Sequence, residues 1–127
     1  MTRDIPRIYA SITDMLRENI SCFKVISDTS EKFEVIGTIP TKQGKHKMDG
    51  MYFATVVPKS KDVRLYFFPI YTHAEGTDPI ITDELRKFLK GKTCFHVRYL
   101  NDHISDNLKI LISTGVALYQ RDGLLAK

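Results

Sequence analysis

From Ile5 to Ile20 the apolar side chains Ile5, Ile8, Tyr9, Ile12, Met15, Leu16 and Ile20 recur at spacings of three and four, the stripe of a helix that buries one face. Asp4 stands where a cap is wanted and Pro6 falls in the first turn, where a missing N–H costs nothing. The period then shortens. Ser21 to Asp28 and Lys32 to Ile39, rich in Val, Ile and Phe and separated by Thr29-Ser30-Glu31, read as two strands and a tight turn. In the second of them Phe33, Val35, Gly37 and Ile39 share a face. The polar run from Pro40 to Gly50 reads as an exposed loop. Met51 to Val57 and Val63 to Tyr71 read as a hairpin joined by Pro58-Lys59-Ser60-Lys61-Asp62. Alternation puts Met51, Phe53, Thr55 and Val57 on one side of the first strand. In the second, Val63, Leu65 and Phe67 oppose Arg64, Tyr66 and Phe68.

Further on, His73 to Pro79 reads as a loop, and Thr82 caps a short helix carrying Leu85, Phe88 and Leu89 that Gly91 stops. Lys92 to Leu100 alternates Phe95, Val97 and Tyr99, facing inward, with Cys94, His96 and Arg98. Asn101 to Asp122 aligns Ile104, Leu108, Leu111, Ile112, Gly115, Leu118 and Tyr119 on one helical face before Gly123 ends it. Helix, four strands, short helix, strand and long helix with mostly short links predict an α+β fold. Its mostly antiparallel sheet has about five strands, with the N- and C-terminal helices on one face and a short helix before the last strand.

A length of 127 residues suits one domain spanning the whole chain, with its core between residues 5 and 123. The hydrophobic share of 43% excludes the disordered class. An N-terminus without an apolar leader, and the lack of any apolar run of about 18 residues, predict a cytoplasmic protein with no membrane partner. Cys22 and Cys94 have no CxxC spacing and read as free thiols. A net charge of +4 favours association with phosphate or acidic surfaces. It is too mild to make nucleic acid an expected partner.

Candidate chemistry is sparse. His46, His73, His96 and His103 are potential donors, and the Cys94-x-His96 pair puts two of them on one strand face, roughly 7 Å apart at Cα. Gly37 and Gly44 are separated by six residues where a P-loop has four, and His46 stands where it needs Ser or Thr. That removes nucleotide hydrolysis. No Gly-x-Ser-x-Gly anchors a serine nucleophile. Lys42, Lys45 and Lys47 make a positive segment that can touch phosphate. Tyr52, Tyr66, Phe68 and His96 are candidates to line the sheet face opposite the helices, a surface for a small ligand, a peptide or a second copy in a homodimer.

Four segments carry a resemblance: Met51-Tyr52-Phe53-Ala54-Thr55-Val56-Val57-Pro58-Lys59, Tyr66-Phe67-Phe68-Pro69-Ile70-Tyr71-Thr72, Leu89-Lys90-Gly91-Lys92-Thr93-Cys94-Phe95-His96-Val97 and Gly115-Val116-Ala117-Leu118-Tyr119. In order and spacing they resemble the YdhG-like family of small bacterial domains of unknown function. The resemblance implies a compact α+β fold and, through a member proposed as a frataxin-like intracellular iron chaperone, iron as cargo. Hard cations take anionic oxygen ligands. For that role the first helix offers Asp4, Asp14 and Glu18 among Arg3, Arg7 and Arg17, and Asp14 and Glu18 with Cys94 and His96 make up the metal candidates.

The leading expectation is a non-enzymatic binding or chaperone-like module using the aromatic sheet face. One alternative is a thiol-dependent enzyme or redox-sensitive protein working through Cys94 and His96. Another is a weak nucleic-acid or acidic-protein binder acting through Lys42 to Lys47.

Overall fold

The computed structural model describes residues 1–43 and 46–126. The first stripe folds as α1 (Ile5–Arg17), where Asp4 accepts a hydrogen bond from the Arg7 backbone N–H at 3.1 Å and Ile8, Ile12, Met15 and Leu16 are buried. The helix stops short of Ile20, which opens a 3₁₀ turn (Ile20–Cys22) into β1 (Phe23–Asp28). β1 pairs antiparallel with β2 (Phe33–Gly37).

The polar stretch predicted as a loop is instead a small separate hairpin, β3 (Thr41–Gln43) with β4 (His46–Met48). Its strands carry no apolar alternation, so hydrophobic period had nothing to mark there. Next come β5 (Tyr52–Pro58) and β6 (Val63–Phe67). The predicted extension of β6 to Tyr71 is overturned at Pro69, which has no N–H for a ladder and opens the one-turn helix α2 (Pro69–Thr72). The predicted loop after it contains α3 (Ala74–Thr77) and a 3₁₀ turn.

α4 (Asp83–Arg86) is capped by Thr82. It ends before Leu89, because Leu89–Lys90 is β7, a strand beyond the expected five. Gly91, at φ 67°, turns β7 into β8 (Cys94–Val97) instead of stopping a helix. α5 (Asp102–Arg121) is capped by Asn101, which accepts from the Ile104 N–H at 2.8 Å.

The fold is α+β, with a six-stranded antiparallel sheet in the order β1-β2-β5-β6-β8-β7. Ile8, Ile12 and Leu16 of α1 and Ile104, Leu108, Leu111 and Tyr119 of α5 share one buried cluster with Val35, Phe53, Leu65, Phe67, Phe95 and Val97. Both terminal helices therefore cover the same face of the sheet. Among the described residues no helix is long and apolar enough to cross a membrane.

One irregularity decides which side chains reach which face. Val35 pairs with Ala54 but Ile36 pairs with Tyr52, so Phe53 is an extra residue on β5. Phe53 and Ala54 are both fully buried, while Tyr52, Thr55 and Val57 belong to the outer face. The predicted grouping of Phe53 with Thr55 and Val57 is thus corrected: the bulge breaks the alternation between them. Phe53 becomes the centre of the core, with the rings of Phe23, Phe67 and Tyr119 at 4.7, 5.2 and 5.3 Å and the last two edge-on. Such pairs add about 0.5–1.5 kcal/mol each beyond burial.

Candidate functional site: the outer sheet face

Strand register arranges the outer face in rows. Glu34, Thr55, Tyr66 and Cys94 are successive partners across β2, β5, β6 and β8. Val57, Arg64 and His96 form the row on one side. On the other side Ile36 pairs with Tyr52, and Phe68, just past β6, sets its ring 5.5 Å from that of Tyr52. The structure places Tyr52, Tyr66, Phe68 and His96 together here, all partly exposed. The aromatic line continues from Phe68 to Tyr71 at 5.7 Å, and Lys92 Nζ lies 5.6 Å from the Tyr71 ring.

Polar contacts hold these rings. Thr55 Oγ1 donates to Glu34 Oε1 at 3.3 Å, so the hydrogen bond between Tyr52 and Thr55 runs from the Tyr52 hydroxyl to Thr55. Burial pushes the Tyr52 hydroxyl up to about 12, which keeps it a donor. Lys32 lies 3.3 Å from Glu34. Asp62 receives Arg64 Nε at 3.3 Å and lies 3.8 Å from His96 Nδ1.

Cys94 shares this face with His96, but it is buried, and that burial pushes its thiol up from the ordinary value. Nucleophilic cysteines need the opposite shift, toward thiolate. Asp14 and Glu18 lie in the helical layer, across the sheet from Cys94 and His96. They line a shallow groove of about 250 Å³ with Ser105 and Lys109, whose ammonium supplies a competing cation. Among the described residues no group of three or more His, Cys, Asp or Glu side chains is arranged to hold a metal ion. His46 sits on β4, and His103 bonds Thr82 Oγ1 at 3.2 Å. Lys42 pairs with Lys47 in the β3–β4 register and Lys47 is exposed, whereas Lys45 lies outside the described residues.

Beside the outer face lies a groove of about 400 Å³, lined by Tyr71, Thr72, His73, Leu118, Arg121 and Asp122 among others. The sequence pattern gives no sign of it. Asp122 Oδ2 lies 2.6 Å from His73 Nε2, which donates to it, and the other ring nitrogen, Nδ1, hydrogen-bonds Thr72 Oγ1 at 2.8 Å. Tyr119 OH, 3.4 Å from Thr72 Oγ1, donates to the Tyr52 carbonyl at 3.0 Å. No spacing rule joins His73 to Asp122 across this separation in sequence. The arrangement ties the end of α5 to α2 and thereby to the first residue of β5.

Arg121 first, and then His73, hold the Asp122 carboxyl down to about 2, and Arg17 lowers that of Asp28. A depressed folded-state value contributes stability above the unfolded value of about 3.9, lost as pH falls through the folded value. The melting temperature should therefore decline on acidification between about pH 5 and pH 2. Asp122→Asn should shed part of that decline, and added salt should weaken it, since the pair is solvent-exposed. Thermal melts across that range check this. An acid limb identical in the variant would show that Asp122 carries none of it.

Compared with family models, with curated proteins and with solved structures, the chain matches none, and its site is read from geometry.

Proposed function

We propose that this protein is a binding module that works through its outer sheet face, with Tyr66 and Phe68 as principal contacts and Arg64 and His96 as polar ones. The observation that carries this reading is the row arrangement itself. Four partly exposed rings and a guanidinium lie on the side of the sheet away from α1 and α5. Rings on paired strands lose little entropy on binding, which is the advantage of a preorganised surface. The raised Cys94 thiol favours binding over thiol chemistry on the same face. The resemblance to YdhG-like domains supports the scaffold. The iron cargo it implies lacks an assembled ligand set among the described residues and forms no part of this proposal.

Amide NMR with adenosine monophosphate and indole as planar probes tests the reading. Saturable shifts should cluster on β5, β6 and β8 and disappear in Tyr66→Ala with Phe68→Ala. Shifts confined to the His73 groove, or scattered over the surface, would reject the face as the site.

A further inference from the structure

We infer that the partner of the outer face is single-stranded RNA, two or three of whose bases stack on its rings. This rests on the binding-face reading above. Size is the first argument. Arg64 to Phe68 covers roughly 13 Å along the strand, and β2 to β8 roughly 14 Å across it, a footprint of about 200 Å² at ordinary strand spacings. A stable protein partner needs about 800 Å² from each side, so a second copy of the chain is poorly served by this patch alone. Two or three splayed bases fit it, as they do other open antiparallel sheets.

Chemistry is the second argument. Tyr66 and Phe68 are partly exposed and Tyr71 is exposed, and every nucleobase has a face that can stack on such rings. Tyr71 is 55% exposed, with the Lys92 ammonium over one face of its ring at 5.6 Å from the centroid, which leaves the other face for a base. Lys90, the register partner of Cys94, is exposed along with Lys92, so cations rim the aromatic line where a phosphate backbone would run. The acids of the face are already engaged, Asp62 by Arg64 and Glu34 by Lys32 and Thr55. The helices are packed on the other side of the sheet, so this face presents no helix to enter a duplex groove, and a single strand is the form it suits. Ribose is favoured over deoxyribose because Thr55 and Lys32 both engage Oε1 of Glu34, so its Oε2 is an acceptor in the row of Tyr66, and the 2′-hydroxyl is a donor that DNA lacks.

The test is fluorescence anisotropy with a labelled oligouridylate of about eight nucleotides, with oligothymidylate and an RNA duplex in parallel, at about 50 mM salt and above. The expected result is saturable binding of the single-stranded RNA, weaker binding of the DNA and least of the duplex. Tyr66→Ala should weaken RNA binding about tenfold. Lys90→Ala with Lys92→Ala, both at exposed positions, should flatten the salt dependence by about 0.7 in log–log slope for each phosphate no longer neutralised.

Equal affinity for DNA overturns the ribose assignment. An unchanged salt slope in the double lysine variant overturns the placement of the backbone. If the RNA does not bind while adenosine monophosphate and indole still shift the same amides, the RNA inference falls and the binding face stands. If neither acts, both fall. A concentration-dependent dimer that Tyr66→Ala abolishes would assign the face to a second copy instead.

Discussion

Gly50→Ala should be the most destabilising single substitution in this fold. A Cβ at this position would lie 1.7 Å from the carbonyl oxygen of Gly37 and 2.5 Å from its carbonyl carbon. Both are backbone atoms, so no rotamer change relieves the overlap. Gly37 cannot retreat either: a Cβ of its own would already stand 2.5 Å from the Leu124 carbonyl oxygen, and its N–H is held by the Met51 carbonyl at 2.8 Å. Three stretches of main chain thus meet in van der Waals contact, the end of β2, the entrance to β5 and the segment after α5. Separating them would open the ladder beside Phe53. The expected cost is on the order of 4 kcal/mol or more, beyond ordinary overpacking, against a total stability of about 5–15 kcal/mol. Circular dichroism melts should show a cooperative transition lowered by roughly 15 °C or abolished. Gly76→Ala is the control, since its added carbon would meet only the end of the Leu118 side chain, at 2.7 Å. If Gly50→Ala melts as the wild type does, the chain segments are not so closely apposed.

Gly115→Leu should be the next most damaging change. α5 makes a close approach to the sheet at Gly115, where a Cβ would lie 2.7 Å from Phe67 Cζ and 3.1 Å from Pro69 Cγ. Phe67 is fully buried and stands edge-on to Phe53, which is itself enclosed, so the displaced ring has nowhere to go. Alanine alone would force a shift of a few tenths of an ångström. Leucine adds three more carbons and should cost about 3 kcal/mol, lowering the melting temperature by roughly 10 °C. A graded loss from Gly to Ala to Leu is the expected signature. An unchanged melting temperature for the leucine variant would mean that this helical face does not point at the sheet.

What could be read from the residues followed from repetition. α1 and α5 announce themselves because their apolar stripes are long and Asp4 and Asn101 stand at their starts. The outer-face residues on β6 and β8, Tyr66 and His96, emerge from plain alternation. Where a feature rests on few residues, the pattern is silent. β7 has two residues, less than one alternation, and β3–β4 carries no apolar set. β5 misleads in another way, because a bulge hidden in a run of apolar residues reverses the predicted side of Thr55 and Val57. The Thr72, His73 and Asp122 contacts are a product of tertiary packing, and only the assembled chain brings them together.

The bulge at Phe53 also separates two tasks that share one strand. In a regular strand residues three apart point to opposite faces, so Tyr52 and Thr55 could not bond each other across the outer surface. The extra residue puts them on the same side, and it does so by turning one more aromatic ring into the core. Removal of the single codon for Phe53 would restore an uninterrupted ladder in which Ile36 still faces Tyr52 and Val35 still faces Ala54. The solvent-facing residues would keep their parity while the interior lost its central ring. Mutational drift can therefore act on the two sides of β5 at different rates: substitutions of Tyr52 or Thr55 alter the chemistry of the outer surface, and those of Phe53 alter whether there is a surface at all.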